Sequence, residues 1–263
     1  MEERNIWKAV LGMIDLTSLN GADTYSKIEA LTEKVNRFND FFPDYPLPAS
    51  ICVYPNFAST VARTRASEDV HVTVVGGCFP ASQSPLEVKV LECETAVRDG
   101  ADEVDIVLAL NSFLDGKYSV AQQEIVQISE AIRHINGNVH LKVILETGAL
   151  AEKSLIEDAS FLAMEAGADF IKTSTGKIQP AATPQAARVM CGCIRQYYEK
   201  TGRKVGFKPA GGISTAEDAL TYYNIVADTL PAQWLDKSLL RFGASRMANN
   251  LLSALEGREI KYF

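Results

Sequence analysis

The sequence predicts an α/β protein, a (β/α)8 or TIM barrel, on three observations. Eight strand signals alternate with helical patterns along the chain. No linker, no change of composition and no repeat beyond the βα rhythm divides them. Eight such units in about 250 residues is the arithmetic of a closed parallel barrel. The expectation is therefore one barrel domain over 1–263, with a short additional N-terminal helix and a mobile C-terminal tail over 257–263. The rival, an open doubly wound sheet, usually has a glycine-rich turn after its first strand, and residues 16–20 have none.

The elements follow in order. Residues 2–12 suggest the extra helix, and 13–19 alternate like a strand. Asp23 is expected to cap a helix with Ile28, Leu31, Val35 and Phe41 on its apolar side. A proline-rich loop over 43–48 precedes a second strand at 51–54, stopped by Pro55-Asn56. A helix to about Arg65 leads to a third strand, 71–75, ended by Gly76-Gly77. Pro85 opens a helix that Gly100 terminates. Strands at 103–108, 140–146 and 170–174 alternate with helices near 119–135 and 151–166. Thr183-Pro184 starts the next helix, and 205–209 is the seventh strand. Thr215 starts another helix, 240–243 is the eighth strand, and a last helix reaches about Leu255.

Composition narrows the function. A net charge of -7 without a basic cluster argues against nucleic acid or an anionic membrane as partner. No apolar run approaches the roughly 20 residues that span a bilayer, and residues 1–7 carry two acids rather than a secretory signal. Five cysteines without a C-x-x-C pattern read as reduced, so a cytoplasmic setting is expected. His71, His134 and His140 show no zinc spacing, and no metal is expected.

Side chains on a strand alternate between two faces. On the fourth strand Val104, Ile106 and Leu108 form an apolar face, while Glu103, Asp105 and Val107 share the other. On the fifth, Leu141, Val143 and Leu145 oppose Lys142, Ile144 and Glu146. The uniformly apolar face packs on the helices, so the mixed face points into the barrel. That collects Asp15, Thr17, Cys52, Asp105, Lys142, Lys172 and Lys208 in one lumen. Asp105 with Lys142 can be read as a buried ion pair and Cys52 as a small core residue. Three inward lysines on consecutive strands are harder to read as packing, because buried charge is costly unless paired or functional. Two ammonium groups about 6 Å apart at an effective dielectric near 20 repel by roughly 3 kcal/mol. One of them therefore loses its proton more readily, and a neutral amine is what attack on a carbonyl requires. Strand phase does not say which lysine this is.

Small residues before helix starts carry a second signal. Phe207-Lys-Pro-Ala-Gly-Gly-Ile-Ser214 and Arg241-Phe-Gly-Ala-Ser-Arg246 each set backbone N–H groups at a helix N-terminus, where barrels hold phosphate. Candidate phosphate contacts are Gly211, Gly212, Ile213, Ser214, Gly243, Ser245 and Arg246, extended by Thr175, Gly176 and Lys177. The bland reading is a pair of ordinary βα turns.

These motifs together closely resemble 2-deoxy-D-ribose-5-phosphate aldolases over nearly the whole chain. The matching segments are Ile14-Asp-Leu-Thr17, Cys52-Val-Tyr-Pro55, Gly100-Ala-Asp-Glu-Val-Asp105, Leu141-Lys-Val-Ile144, Glu146-Thr-Gly148, Phe170-Ile-Lys-Thr-Ser-Thr-Gly-Lys177, Gly206-Phe-Lys-Pro-Ala-Gly-Gly212 and Arg241-Phe-Gly-Ala-Ser245. The resemblance implies a Schiff-base aldolase on a (β/α)8 barrel, acting on sugar phosphate and aldehyde substrates in deoxyribose catabolism. Lys172 would be the nucleophile, Lys208 the neighbour that lowers its pKa, and Asp105 with Lys142 the acid/base group. Asp15, Thr17, Leu19 and Cys52 would line the pocket, and Tyr262 would assist proton transfer. No metal or organic cofactor is implied, and homo-oligomers are common among such barrels. The chain departs from the family where Ser214 stands for a frequent Arg and Arg246 for a frequent Ser, so Arg246 is expected to supply the phosphate charge. Tyr262 is penultimate rather than last. Another Schiff-base sugar-phosphate aldolase and a catalytically silent phosphate-binding barrel are the competing readings.

Overall fold

The computed structural model describes residues 2–263. Its strands are β1 Ile14–Thr17, β2 Ser50–Val53, β3 His71–Gly76, β4 Glu103–Val107, β5 His140–Ile144, β6 Phe170–Lys172, β7 Gly206–Lys208 and β8 Phe242–Ala244. Its helices are α1 Glu2–Leu11, α2 Tyr25–Asn36, α3 Phe38–Phe41, α4 Ala58–Thr64, α5 Leu86–Arg98 and α6 Leu110–Leu114. They continue with α7 Tyr118–Ile135, α8 Lys153–Glu165, α9 Pro184–Thr201, α10 Ala216–Thr229 and α11 Met247–Glu256. The strands are parallel and lie in the order β7-β6-β5-β4-β3-β2-β1-β8. Bridges Phe207↔Leu240 and Ala210↔Gly243 join β7 to β8 and nearly close the barrel. The expected eight-stranded barrel and its extra N-terminal helix are both present.

The apolar strand faces pack outward, as the alternation requires. Val104, Ile106, Leu108, Leu141, Val143 and Leu145 are all buried in the continuous layer between barrel and helices. Burying one such side chain contributes about 1.5–3 kcal/mol, and this layer is the main source of stability. The register then sets Asp105 beside Lys142, Lys142 beside Phe170, and Lys172 beside Lys208.

Local signals explain most helix ends. Thr183 caps α9 by accepting the Ala186 N–H, and Thr215 with Asp218 forms a reciprocal capping box on α10. At α2 the cap is Thr24 rather than Asp23. Asp23 instead accepts from the Ser18 hydroxyl, the Asn20 N–H and Lys27, tying the β1 loop to the helix start. Phe41 lies in the separate short helix α3, and α6 was not expected, because four- and five-residue helices show no periodicity.

The tail after Gly257 lies against α2, α3 and α11. Phe263 stacks on Phe38 with ring centroids 5.4 Å apart, and Tyr262 meets Phe38 edge-on at 5.6 Å. Asn249 on α11 accepts the N–H groups of Tyr262 and Phe263.

Two glycines show how space is used. A Cβ on Gly206 would stand 2.3 Å from the Phe170 ring, which fills the lumen beside β7. Gly192, inside α9, has nothing within 4 Å of its missing Cβ. Gly206→Ala should therefore cost about 1–3 kcal/mol by overpacking. Gly192→Ala should stabilise by about 0.5–1 kcal/mol through backbone entropy alone. Urea unfolding midpoints of the two variants, moving in opposite directions, check both.

Candidate active site

The lumen is occupied by ions. Asp105 on β4 is completely buried, and three ammonium groups converge on it. Lys172 Nζ and Lys208 Nζ stand 2.8 and 2.7 Å from its Oδ2, and Lys142 Nζ stands 3.1 Å from its Oδ1. Lys208 also contacts Asp15, and Lys142 also contacts Glu103. Beneath them, Arg241 reaches Asp15 at 2.7 Å and Glu103 at 2.8 Å. Thr73 donates to Glu103 at 2.7 Å, and the half-buried His71 at the strand N-terminal end donates through Nδ1 at 2.7 Å. The Phe170 ring stands beside Lys142 and Arg241, with their charges 5.9 and 5.8 Å from its centroid.

Asp15, Glu103 and Asp105 supply three carboxylates, while Lys142, Lys172, Lys208 and Arg241 supply four cations. The lumen is neutral when one cation gives up its proton. The geometry singles out Lys172. Its one carboxylate contact among the described residues is Asp105, which it shares with two other ammonium groups. Burial lowers the Lys172 pKa; Asp105 opposes that, and the Lys208 ammonium adds to it. Lys208 is equally buried, yet Asp105 and Asp15 hold its pKa well above the ordinary lysine value. The Asp105 carboxyl resists burial because Lys142, Lys172 and Lys208 hold it far below the ordinary carboxylate range. Asp15 and Glu103 are lowered likewise, Asp15 chiefly by Lys208 and Arg241, Glu103 chiefly by Lys142 and Arg241. Burial pushes the Cys52 thiol up, so Cys52 stays protonated at the lumen wall.

Above this cluster, at the C-terminal end of the strands, opens a cleft of about 240 Å³. Lys172 reaches its floor while being only 4 % exposed. Thr17 and Leu19 line one side, and Thr175, Gly176 and Lys177 another. Gly211, Gly212, Ile213, Ser214, Gly243, Ser245 and Arg246 form the far end. The turn glycines there have left-handed backbones, at φ 79° for Gly176 and 85° for Gly211. A Cβ on Gly211 would come within 3.0 Å of Gly176 Cα, so the two loops touch backbone to backbone. At α10 the Ser214 and Thr215 N–H groups are already taken by Asp218, each at 3.0 Å. At α11 no side chain caps the N-terminus, which begins at Arg246.

The structure thus brings together every expected lumen residue: Asp15, Thr17, Cys52, Asp105, Lys142, Lys172 and Lys208. It does not bring Tyr262 to them. The Tyr262 hydroxyl donates to the Lys34 carbonyl at 2.7 Å on the outside of the barrel. Lys177 crosses the mouth and donates to the Leu19 carbonyl at 3.0 Å. Sequence reasoning missed four participants. Glu103 lies in phase with Asp105, but its place one layer lower in the lumen depends on register. Arg241 precedes β8, too short a strand to reveal its phase. Phe170 carries no chemical signal in the sequence, and its ring fills the space beside Gly206. Glu146 was also overlooked. It is buried with a left-handed backbone, φ 54°, and accepts from the Thr175 hydroxyl and N–H, fixing the loop that lines the cleft.

The nearly closed barrel thus presents one lysine, with a share in a single carboxylate, to the floor of an open cleft. The model of the DeoC/LacD family aldolases matches residues 9–227. A Caenorhabditis elegans protein named "Putative deoxyribose-phosphate aldolase" is 43 % identical over 251 residues, 94 % of this chain and 81 % of that one. The solved aldolase QR15 superposes with a TM-score of 0.74 at 27 % identity, covering 94 % of this chain and 96 % of its own. The deoxyribose phosphate aldolase of Aeropyrum pernix shares the fold, with a TM-score of 0.72 at 22 % identity over 96 % of this chain and 92 % of its own. The chain belongs to the DeoC/LacD aldolase family and is an enzyme of the lyase class.

Asp105→Asn would leave three ammonium groups without their shared anion, a loss of about 3–5 kcal/mol at neutral pH. The sign with pH follows from the lowered carboxylates. Their contribution is complete above the unfolded carboxyl pKa, about 4, and is lost as pH falls toward the folded values. Urea titrations at a series of pH values should show wild-type stability falling through that acid range, and a shallower fall for Asp105→Asn.

Proposed function

We propose that the protein reversibly cleaves 2-deoxy-D-ribose 5-phosphate to D-glyceraldehyde 3-phosphate and acetaldehyde through a Schiff base on Lys172. The observation that carries this reading is the position of Lys172. It is the lysine with the weakest share of carboxylate, and it forms the floor of the cleft.

In the proposed reaction the neutral Lys172 amine attacks the C1 aldehyde of the open-chain sugar. Asp105 Oδ2, 2.8 Å from Lys172 Nζ and 2.7 Å from Lys208 Nζ, relays protons with Lys142 and water as the carbinolamine loses its hydroxyl. The product iminium carries the fourth positive charge of a lumen balanced for three. That excess makes it an electron sink, since drawing the C2–C3 bonding pair into a neutral enamine restores the balance. The 3-hydroxyl gives up its proton as C3 becomes the aldehyde of glyceraldehyde 3-phosphate. Protonation of the enamine at C2 and hydrolysis then free acetaldehyde and the amine. Each step is acid/base or addition chemistry, so the mechanism calls on no metal or organic cofactor.

The phosphate is proposed to sit at the uncapped start of α11, against Gly211, Gly212, Gly243, Ser245 and Arg246. Arg246 makes no ion pair among the described residues, whereas the Ser214 N–H is committed to Asp218. Lys177 would exchange the Leu19 carbonyl for the anion. A part for Tyr262 in proton transfer would require the tail to leave Lys34 and Asn249. The proposal places the enzyme in deoxyribose catabolism, as a cytoplasmic homo-oligomer.

Borohydride reduction in the presence of acetaldehyde should fix a covalent adduct on the wild type, a weaker one at neutral pH on Lys208→Ala, where Lys172 keeps its proton longer, and none on Lys172→Ala. An unlabelled wild type would end the Schiff-base reading. Arg246→Ala should raise KM for the phosphorylated sugar about tenfold or more, the scale of one charge-assisted phosphate contact, and leave KM for a non-phosphorylated aldehyde nearly unchanged. An unchanged KM for the phosphorylated sugar would remove Arg246 from the phosphate site.

A further inference from the structure

We infer that Arg241 and Glu103 are positioning residues that set the protonation of Lys172 from a second charged layer beneath it. This rests on the Schiff-base reading and extends it to residues that touch no substrate. Arg241 is 2 % exposed and binds Asp15 through Oδ1 and Glu103 through both oxygens. It is held in place by the Lys237 carbonyl and the Phe170 ring. Asp15 meets Lys208 through its other oxygen, Oδ2, and Glu103 Oε2, which Arg241 also contacts, meets Lys142. The lower layer therefore satisfies Lys142 and Lys208 and leaves Lys172 to compete with both for Asp105.

The consequence depends on charge rather than on shape. Without Arg241, two carboxylates lose a cation, and the lumen becomes negative when Lys172 is neutral. Lys172 then holds its proton to higher pH. Without the Glu103 charge, the lumen is positive when Lys172 is neutral, and Lys172 loses its proton at lower pH. Glu103 faces Asp15 on β1, His71 on β3, Lys142 and His140 on β5, and Arg241 before β8. Lys172 faces Cys52 on β2, Asp105 on β4 and Lys208 on β7. His71 and His140 are partly exposed at the strand N-terminal end, where water screens them.

The test is the pH dependence of reductive trapping, with acetaldehyde and cyanoborohydride as the probe, from about pH 5 to about pH 9. Arg241→Gln should move the midpoint for Lys172 up by about one pH unit, the effect of a buried unit charge roughly 10 Å away. Glu103→Gln should move it down by a similar amount. The double variant restores the count and should return the midpoint to that of the wild type. Arg241→Lys keeps the charge and should leave it in place even if stability falls. Residues that only supported the fold would shift all variants in one direction or none. Single variants that leave the midpoint unmoved, or move it the same way, would overturn the inference. The Schiff-base reading fails separately, through a wild type that traps nothing at any pH. If Arg241→Gln does not fold, Glu103→Gln and the double variant decide the sign between them.

Discussion

The structure depends on one carboxylate. Asp105 is buried at the centre of the barrel and takes three ammonium groups, two on one oxygen and one on the other. An isolated ammonium in such a place would cost several kcal/mol in desolvation. Three are tolerated because Asp15 and Glu103 extend the anionic side and Arg241 locks those two in position. The barrel supplies the rigidity. Each lysine and carboxylate stands on a strand whose opposite face is packed into the outer apolar layer, so none of them can move away without breaking that packing.

The same arrangement is one carboxylate short of pairing every cation. Lys142 and Lys208 each have two carboxylate partners at close range, and Lys172 has a share in one. Both Lys172 and Lys208 are buried, yet burial lowers the pKa of the first while the anions raise that of the second. Desolvation alone cannot tell two buried lysines apart; partner number can. The cleft then opens on the lysine whose pKa burial lowers, with left-handed glycine turns and an uncapped helix start facing it across about 240 Å³.

Much of this was legible from residue order. Strand alternation located Asp105, Lys142, Lys172 and Lys208 in one lumen, because period two leaves only two faces and one of them is uniformly apolar. The glycine turns were legible because few other residues adopt their backbone. What stayed hidden depended on register and on layers. Glu103 has the same phase as Asp105, but only the pairing of β4 with β5 puts it below Lys142. Arg241 stands just outside a three-residue strand, too short for phase to be read. The competing caps Asp23 and Thr24 are adjacent and chemically alike, so only the path of the β1 loop separates them. Tyr262 was placed by analogy with chain ends elsewhere, whereas its ring packs among Phe38, Phe41 and Phe42 and its hydroxyl bonds Lys34.

The central claim is that charge count, more than proximity to another lysine, makes Lys172 the neutral amine. The direct measurement is an NMR titration of the lysine side chains in the free protein, with Lys172, Lys142 and Lys208 assigned by substitution. Lys172 should release its proton first, below the ordinary lysine value of 10.5, while Lys208 remains an ammonium above it. A Lys208 that titrates before Lys172, or two lysines that titrate together at the ordinary value, would contradict it.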